Sequence, residues 1–391
     1  MSNCLLVLPK YTTHLGDPCI YPLGFMYMSA VLKKRGHTVK VIDYNLGEHE
    51  LEKEMEGMDY VMSTGFEGFF NVLCEIGDTA KRRGVHSVVG GYMATFAPNE
   101  MLKHFDTVVV GEGEMVEHFR PGVIHPPKPD INAVPWPDYD GFNVEEYHRI
   151  HVKTGFGRYM GVLTSRGCPF TCSFCAHTSK FKVRDLDDVF REIDHYVDRY
   201  RIQTIVFNDD TLNIRKDRWM KMCEGMGQRY LKWGAALRAD LLDEEMIEFA
   251  QKCGMDGCII GVESLDQNKL NRMNKRIKAD EIHRAMELLA KHKVNWHANI
   301  LVGFEWETME DIQRELASIP PAYKNNLFGC MVYHFIGTKN GATRLISDAE
   351  VAQLQSEFAA QAKAGGKAYD VPYTPTHLGD DTPNRFSRHG V

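Results

Sequence analysis

The chain has no run of apolar residues approaching the roughly 18 that a membrane-spanning helix needs. Its start, Met1-Ser2-Asn3-Cys4-Leu5-Leu6-Val7-Leu8-Pro9, lacks the basic stretch and small-residue cleavage site of a signal peptide, and reads instead as a first strand. There is no block of basic residues, and 53 acidic against 46 basic side chains give a net charge of −7. That balance argues against a nucleic-acid backbone as the main partner. No G-x-G-x-x-G opens a helix, which disfavours a nicotinamide cofactor. The ten cysteines form no disulfide framework, and seven of them are scattered, as fits a reducing cytosolic compartment. Cys253 and Cys258 are close together, but they flank a strand start where small buried residues are common. What remains is an ordinary soluble composition, 43% hydrophobic and 25% charged, in 391 residues that have room for two domains.

The other three cysteines lie in Arg166-Gly167-Cys168-Pro169-Phe170-Thr171-Cys172-Ser173-Phe174-Cys175, a C-x3-C-x2-C pattern directly after the apolar stretch Gly161-Val162-Leu163-Thr164. Three thiolates so close can hold one metal centre: Cys168, Cys172 and Cys175 are one short of the four ligands an iron–sulfur cluster usually takes. Zinc is the rival, with His177 as a possible fourth ligand at a spacing unusual for zinc.

Strand and helix signals alternate on both sides of this motif. Upstream, strands are expected at Cys4–Leu8, Thr38–Ile42, Tyr60–Thr64, Ser87–Val89 and Thr107–Val110. Helices are expected at Leu23–Lys34, which stops at Gly36, and around 48–56, 71–83 and 99–103. This is the pattern of a doubly wound, Rossmann-like parallel sheet, whose ligands sit beyond the strand carboxyl ends. Those ends carry Pro9 and Tyr11, Ser63-Thr64-Gly65, Gly90-Gly91-Tyr92 with Thr95, and Gly111-Glu112, where small residues allow close backbone approach. Six prolines between 121 and 141 read as an extended connector. Downstream, six strands (161–164, 204–207, 233–237, 258–261, 296–301, 329–335) and five helices suggest a partial parallel barrel with its site at the carboxyl ends. Polar residues follow four strands in turn: Asn208-Asp209-Asp210, Arg238-Ala239-Asp240, Glu263-Ser264, and Gly303 with Glu307. The expected organisation is therefore an α/β chain: residues 1–120, a linker 121–155, a barrel 156–338, and a C-terminal helix and tail 339–391.

C-x3-C-x2-C with Phe174 just before the third cysteine resembles the radical S-adenosylmethionine (SAM) superfamily. That resemblance implies a 4Fe-4S cluster on Cys168, Cys172 and Cys175, with its open iron chelating SAM. It further implies SAM contacts from Asn208, Asp209 and Asp210 (amino group), Arg238 (carboxylate), Glu263 and Ser264 (ribose), and Leu301 and Gly303 (adenine), beside Phe174. The first third resembles the cobalamin (B12)-binding domain that precedes many radical SAM domains, in Pro9, Leu23–Met28, Gly36-His37-Thr38-Val39, Gly90-Gly91 and Gly111-Glu112-Gly113-Glu114. It lacks the D-x-H-x-x-G motif that supplies the lower cobalt ligand elsewhere, although His14 sits in the corresponding loop. The activity so implied is a cytoplasmic cobalamin-dependent radical SAM C-methyltransferase, using methylcobalamin, a 5′-deoxyadenosyl radical and an external low-potential electron donor. Its substrate would be a small molecule, peptide or protein, such as a methyl-coenzyme M reductase side chain. The alternatives are a non-methylating rearrangement or cyclisation with the same cofactors, and a zinc-binding scaffold or cobalamin-sensing protein.

Overall fold

A computed structural model describes residues 1–10, 20–153, 157–176 and 179–331, with a few more between 347 and 357. They form two compact units, divided between residues 153 and 154.

The first unit is a six-stranded, all-parallel sheet: β1 (Asn3–Leu8), β2 (Thr38–Asp43), β3 (Tyr60–Thr64), β4 (His86–Gly90), β5 (Thr107–Val109) and β6 (Gly122–Ile124), in the order β2-β1-β3-β4-β5-β6. The strands are apolar runs because a parallel sheet is covered on both faces. Leu5 and Val7 of β1 and Val61 of β3 are fully buried with Ile42, Met55, Ile76 and Ala80. Helix Phe70–Arg83 ends at Gly84, whose φ of 67° is the left-handed stop a helix favours. The strand order reverses between β1 and β3, so the crevice at their carboxyl ends is where such a sheet takes a ligand.

Residues 121–153, expected to be a connector, are part of this unit. β6 extends the sheet, and helix Val144–Lys153 follows the prolines. Asp138 accepts from the Ser29 hydroxyl at 2.5 Å and pairs with Lys33 at 2.6 Å. The Tyr147 hydroxyl donates to Asp43 of β2 at 2.6 Å. Proline density gave the extended backbone but could not show that its side chains dock.

The second unit is also all-parallel: β7 (Tyr159–Val162), then after the hairpin β8 (Ser165–Arg166) and β9 (Lys182–Val183), β10 (Thr204–Phe207), β11 (Lys232–Arg238), β12 (Met255–Glu263), β13 (Asn295–Val302) and β14 (Leu327–Met331). Its order, β14-β13-β12-β11-β10-β7, is sequential from β7 outward, as successive β/α units wind a barrel wall. Trp219 and Trp233 are fully buried edge to face at 5.5 Å, and each indole N–H reaches a backbone carbonyl. Asp185, Asp243, Asp266 and Thr308 cap the helices that follow, each side chain accepting a first-turn N–H. Cys253 and Cys258 are buried thiols, and burial pushes Cys258 up to about 12, so they act as small hydrophobes.

Candidate functional site

The cysteine loop leaves β8 and returns on β9, so a two-stranded antiparallel hairpin frames its base. Gly167 opens it with φ 71°, and a Cβ there would lie 2.4 Å from the Ser179 carbonyl. Only glycine fits that turn. Cys168 and Cys172 are half-buried, Cys175 is exposed, and none of the three is in a disulfide. Although Cys175 as a whole is exposed, the protein packed around its thiol displaces water and pushes it up to about 12, and Cys172, Asp210, Cys168 and Glu263 push the same way. Cys172 is raised too, by burial, although Lys275 and Arg238 pull it down. The triplet and two carboxylates thus act on one region, at the carboxyl ends of β10 and β12. His177 and residues 339–346 lie outside the described residues.

Strand alternation sorts the polar run after β10. Along a strand successive side chains point to opposite faces, and here Asn208 and Asp210 are exposed while Asp209 between them is 3% exposed. Asp209 accepts from the Thr164 N–H and hydroxyl, each at 2.8 Å, and from the Ser165 hydroxyl at 2.5 Å. It therefore fastens the start of the cysteine loop to β10. Beside it the Thr211 hydroxyl lies 3.6 Å from the Cys168 sulfur.

Burial pushes the Asp209 carboxyl from its usual 3.8 up to about 6, against the pull of its three donors. Between those values the folded chain holds a proton that the unfolded chain has lost, so stability falls as pH rises through the window. Asp209→Asn removes this dependence. From pH 3 to pH 7 the wild type should lose up to roughly 3 kcal/mol relative to the variant, read from urea midpoints.

Three more expected contacts are internal. Ser264 is fully buried, and its hydroxyl donates to Glu315 at 2.8 Å, so it supports the loop after β12. Arg238, 5% exposed, lies over the Phe170 ring at 3.7 Å and donates to the Lys275 carbonyl at 2.6 Å. Ser63 in the first unit is 1% exposed and donates to the Val7 carbonyl at 3.0 Å, which ties β3 to β1. Spacing puts all four at or near strand ends, but it does not say which way a side chain turns.

The remaining expected residues stay at strand ends. Glu263 ends β12 in left-handed backbone, φ 64°, paired with Lys275 at 2.9 Å. Leu301 is half-buried on β13, and Gly303, at φ 89°, donates its N–H to Glu307 at 2.8 Å. In the first unit Pro9 ends β1, while Tyr11 and His14 lie outside the described residues. The Thr64 hydroxyl donates to the Gly90 carbonyl at 3.3 Å, and the Gly65 carbonyl accepts from Met93 at 3.0 Å. Thr95 links two more of these ends, donating to the Gly91 carbonyl at 2.7 Å and accepting from Gly111 N–H at 2.9 Å. Tyr92 packs on Phe96 at 4.8 Å, and Glu112 follows Gly111, whose φ is 82°.

Comparison with known proteins bears on both units. The radical SAM superfamily model matches residues 162–319 and the B12 binding domain model matches residues 16–119. The chain belongs to the cobalamin-dependent radical SAM enzymes. It is 26% identical over 334 residues to bacteriochlorophyllide d C-12(1)-methyltransferase of Chlorobaculum tepidum, covering 79% of this chain and 71% of that protein. It is 27% identical to the anaerobic magnesium-protoporphyrin IX monomethyl ester cyclase of Cereibacter sphaeroides, over 75% of this chain and 55% of that one. The solved structure of the cobalamin-dependent radical SAM enzyme OxsB with aqua-cobalamin shares the fold at TM-score 0.68 and 17% identity, covering 94% of this chain. This chain spans only 56% of the OxsB chain.

The enzyme's cofactors are those of its family: a 4Fe-4S cluster, SAM and cobalamin. The residues present fit them. Cys168, Cys172 and Cys175 converge as a three-sulfur donor set, which suits a cluster with one open iron better than closed tetrahedral zinc. In the first unit Gly91 leaves a cradle: its φ is 79°, and a Cβ would meet the Thr64 hydroxyl at 2.2 Å. Gly91→Ala imposes left-handed strain of about 1–2 kcal/mol and displaces Thr64 from Gly90. Retention of hydroxocobalamin after desalting should fall by about 10-fold, read from the visible spectrum. Among the described residues no helix is long and apolar enough to cross a membrane.

Proposed function

We propose that this enzyme transfers a methyl group to a weakly activated carbon of a small-molecule substrate. The observation that carries the reading is the three-cysteine loop at the carboxyl ends of a parallel barrel wall, in a chain whose other unit matches the B12 binding domain. When bound, the cluster and SAM supply a hydrogen-abstracting 5′-deoxyadenosyl radical, and cobalamin supplies the methyl group. The chain's own part is to bind and orient. Cys168, Cys172 and Cys175 would hold the cluster, with Asn208, Asp210 and Glu263 at the adjoining strand ends as the polar contacts for SAM. Leu301 and Gly303 offer an apolar edge and an open backbone for its adenine. Thr64, Gly65, Gly90, Gly91 and Gly111 would let cobalamin approach the first sheet closely.

The tetrapyrrole names of the relatives above make a flat, conjugated macrocycle the first substrate class to test. Anaerobically reconstituted enzyme is incubated with candidate macrocycles, a low-potential reductant and SAM carrying a deuterated methyl group. Methyl transfer predicts equal amounts of 5′-deoxyadenosine, S-adenosylhomocysteine and a product heavier by the labelled methyl. The likeness to a cyclase favours one second reading, ring formation. Deoxyadenosine with an unmethylated, cyclised product and no S-adenosylhomocysteine would establish that instead.

A further inference from the structure

The cysteine loop is gripped on its outer side by four residues that no recognised motif marks. Helix Gln267–Arg272 ends after β12, and the chain runs through Met273-Asn274-Lys275-Arg276 before helix Ala279–Lys291 starts. Asn274 (φ 52°) and Arg276 (φ 55°) both hold left-handed backbone without being glycine. Each such residue costs about 1–2 kcal/mol and persists only where its surroundings over-determine it.

Here the surroundings are the residues between the cysteines. Ser173 N–H donates to the Met273 carbonyl at 2.9 Å, and its hydroxyl reaches the same oxygen at 3.2 Å. The Asn274 side-chain amide donates to the Thr171 carbonyl at 2.7 Å and to the Thr171 hydroxyl at 3.2 Å. The Lys275 ammonium lies 5.8 Å from the Phe174 ring. Phe170 completes the set, with the Arg238 guanidinium over its face at 3.7 Å.

Arg238 is itself fixed from several sides. Its side chain donates to the carbonyls of Lys275 (2.6 Å) and Arg276 (3.4 Å), and its Nε lies 2.7 Å from Asp240. Its backbone N–H and carbonyl both bond the Asn213 side chain, at 2.9 and 3.0 Å. A guanidinium stacked on one loop and bonded to the backbone of another joins the two.

We propose that Met273–Arg276 and Arg238 form one brace that sets the shape of the cysteine loop and so the placing of its three sulfurs. Arg238 is then a positioning residue. The inference rests on Cys168, Cys172 and Cys175 binding a cluster and is independent of methyl transfer.

The test uses the full chain, anaerobically reconstituted, as wild type, Asn274→Ala, Arg238→Lys, Phe170→Leu and Phe170→Tyr. Three quantities are read: iron lost to a chelator, the electron paramagnetic resonance spectrum of the reduced cluster, and the Kd for SAM per intact cluster. Asn274→Ala, Arg238→Lys and Phe170→Leu should each lose iron about 10-fold faster, as outer-shell changes do at metal sites, with shifted g-values. SAM affinity per cluster should stay within about twofold, and Phe170→Tyr, which keeps the ring, should behave as wild type. Wild-type iron retention and spectrum in Asn274→Ala overturn the brace. A normal cluster with SAM binding weakened about 10-fold in Arg238→Lys returns Arg238 to the ligand. Should Arg238→Lys fail to fold, the half-buried Asn274→Ala decides alone. Absence of iron from the wild type would instead overturn the cluster assignment, a separate failure.

Discussion

Replacing Cys168 and Cys172 together by alanine should abolish cluster binding and the formation of 5′-deoxyadenosine. The thiolate, not the thiol, is the metal ligand, whereas the protein's surroundings favour the neutral thiol, raising Cys172 and holding Cys175 up to about 12. The thiolate set is therefore held by the positive charge of the metal it binds, and metal uptake drives proton release. With two of three sulfurs gone, Cys175 alone keeps neither the charge nor the bite to hold four irons. The substitutions are small, at half-buried positions on a loop whose base is fixed independently by Asp209 and by the β8–β9 hairpin. The fold should survive, and the variant should retain cobalamin as the wild type does, because that site is built from the first unit. Iron and sulfide per chain, cobalamin by visible absorbance and deoxyadenosine by chromatography give the three readouts. Wild-type iron in the double variant would remove the cysteine triplet from the chemistry altogether.

Both sheets could be read from the sequence because buried parallel strands are short apolar runs closed by polar or glycine residues. β1, β3 and β10 differ from expectation by at most one residue at either end, and β12 and β13 mainly run longer than expected. The triplet was equally legible, since C-x3-C-x2-C is local. What could not be read was the direction of side chains at the strand ends and the partners brought in from elsewhere. Asn208, Asp209 and Asp210 look alike in sequence, yet alternation turns the middle one onto Thr164 and Ser165. Ser264 finds Glu315, 51 positions away, and Arg238 finds the backbone at Lys275, 37 away. The arm 273–276 carries one structural mark, Asn274 in left-handed backbone just past the helix end at Arg272, where glycine is usual. Its partners lie about a hundred residues earlier, as Asn274 and Thr171 show.

The largest stability effect expected in the second unit comes from Lys269, a residue outside the cofactor contacts. It is 6% exposed, with its ammonium 2.6 Å from Glu307 and 3.6 Å from Glu315. Glu307, 2% exposed, accepts the N–H groups of Gly303 and Phe304 at 2.8 and 3.0 Å, which shapes the turn after β13. Glu315 accepts the Ser264 hydroxyl at 2.8 Å and Leu265 N–H at 3.1 Å, which shapes the turn after β12. One cation thus holds two buried carboxylates, and each carboxylate holds one loop at the site. Removing one partner of a buried ion pair leaves the other charge uncompensated, so Lys269→Met should cost about 3–5 kcal/mol. For a unit of this size the melting temperature should fall by roughly 6–20 °C. Replacing all three charges is a different case, because neutral side chains of similar volume incur no charge-burial cost. Lys269→Met with Glu307→Gln and Glu315→Gln keeps the carbonyl acceptors for both turns, and most of the loss should return. If Lys269→Met melts within about 2 °C of the wild type, water reaches the carboxylates and the network is not buried in solution. If the triple variant melts as low as the single one, the stability resides in the charges themselves, and the two turns need an ionised partner to keep their shape.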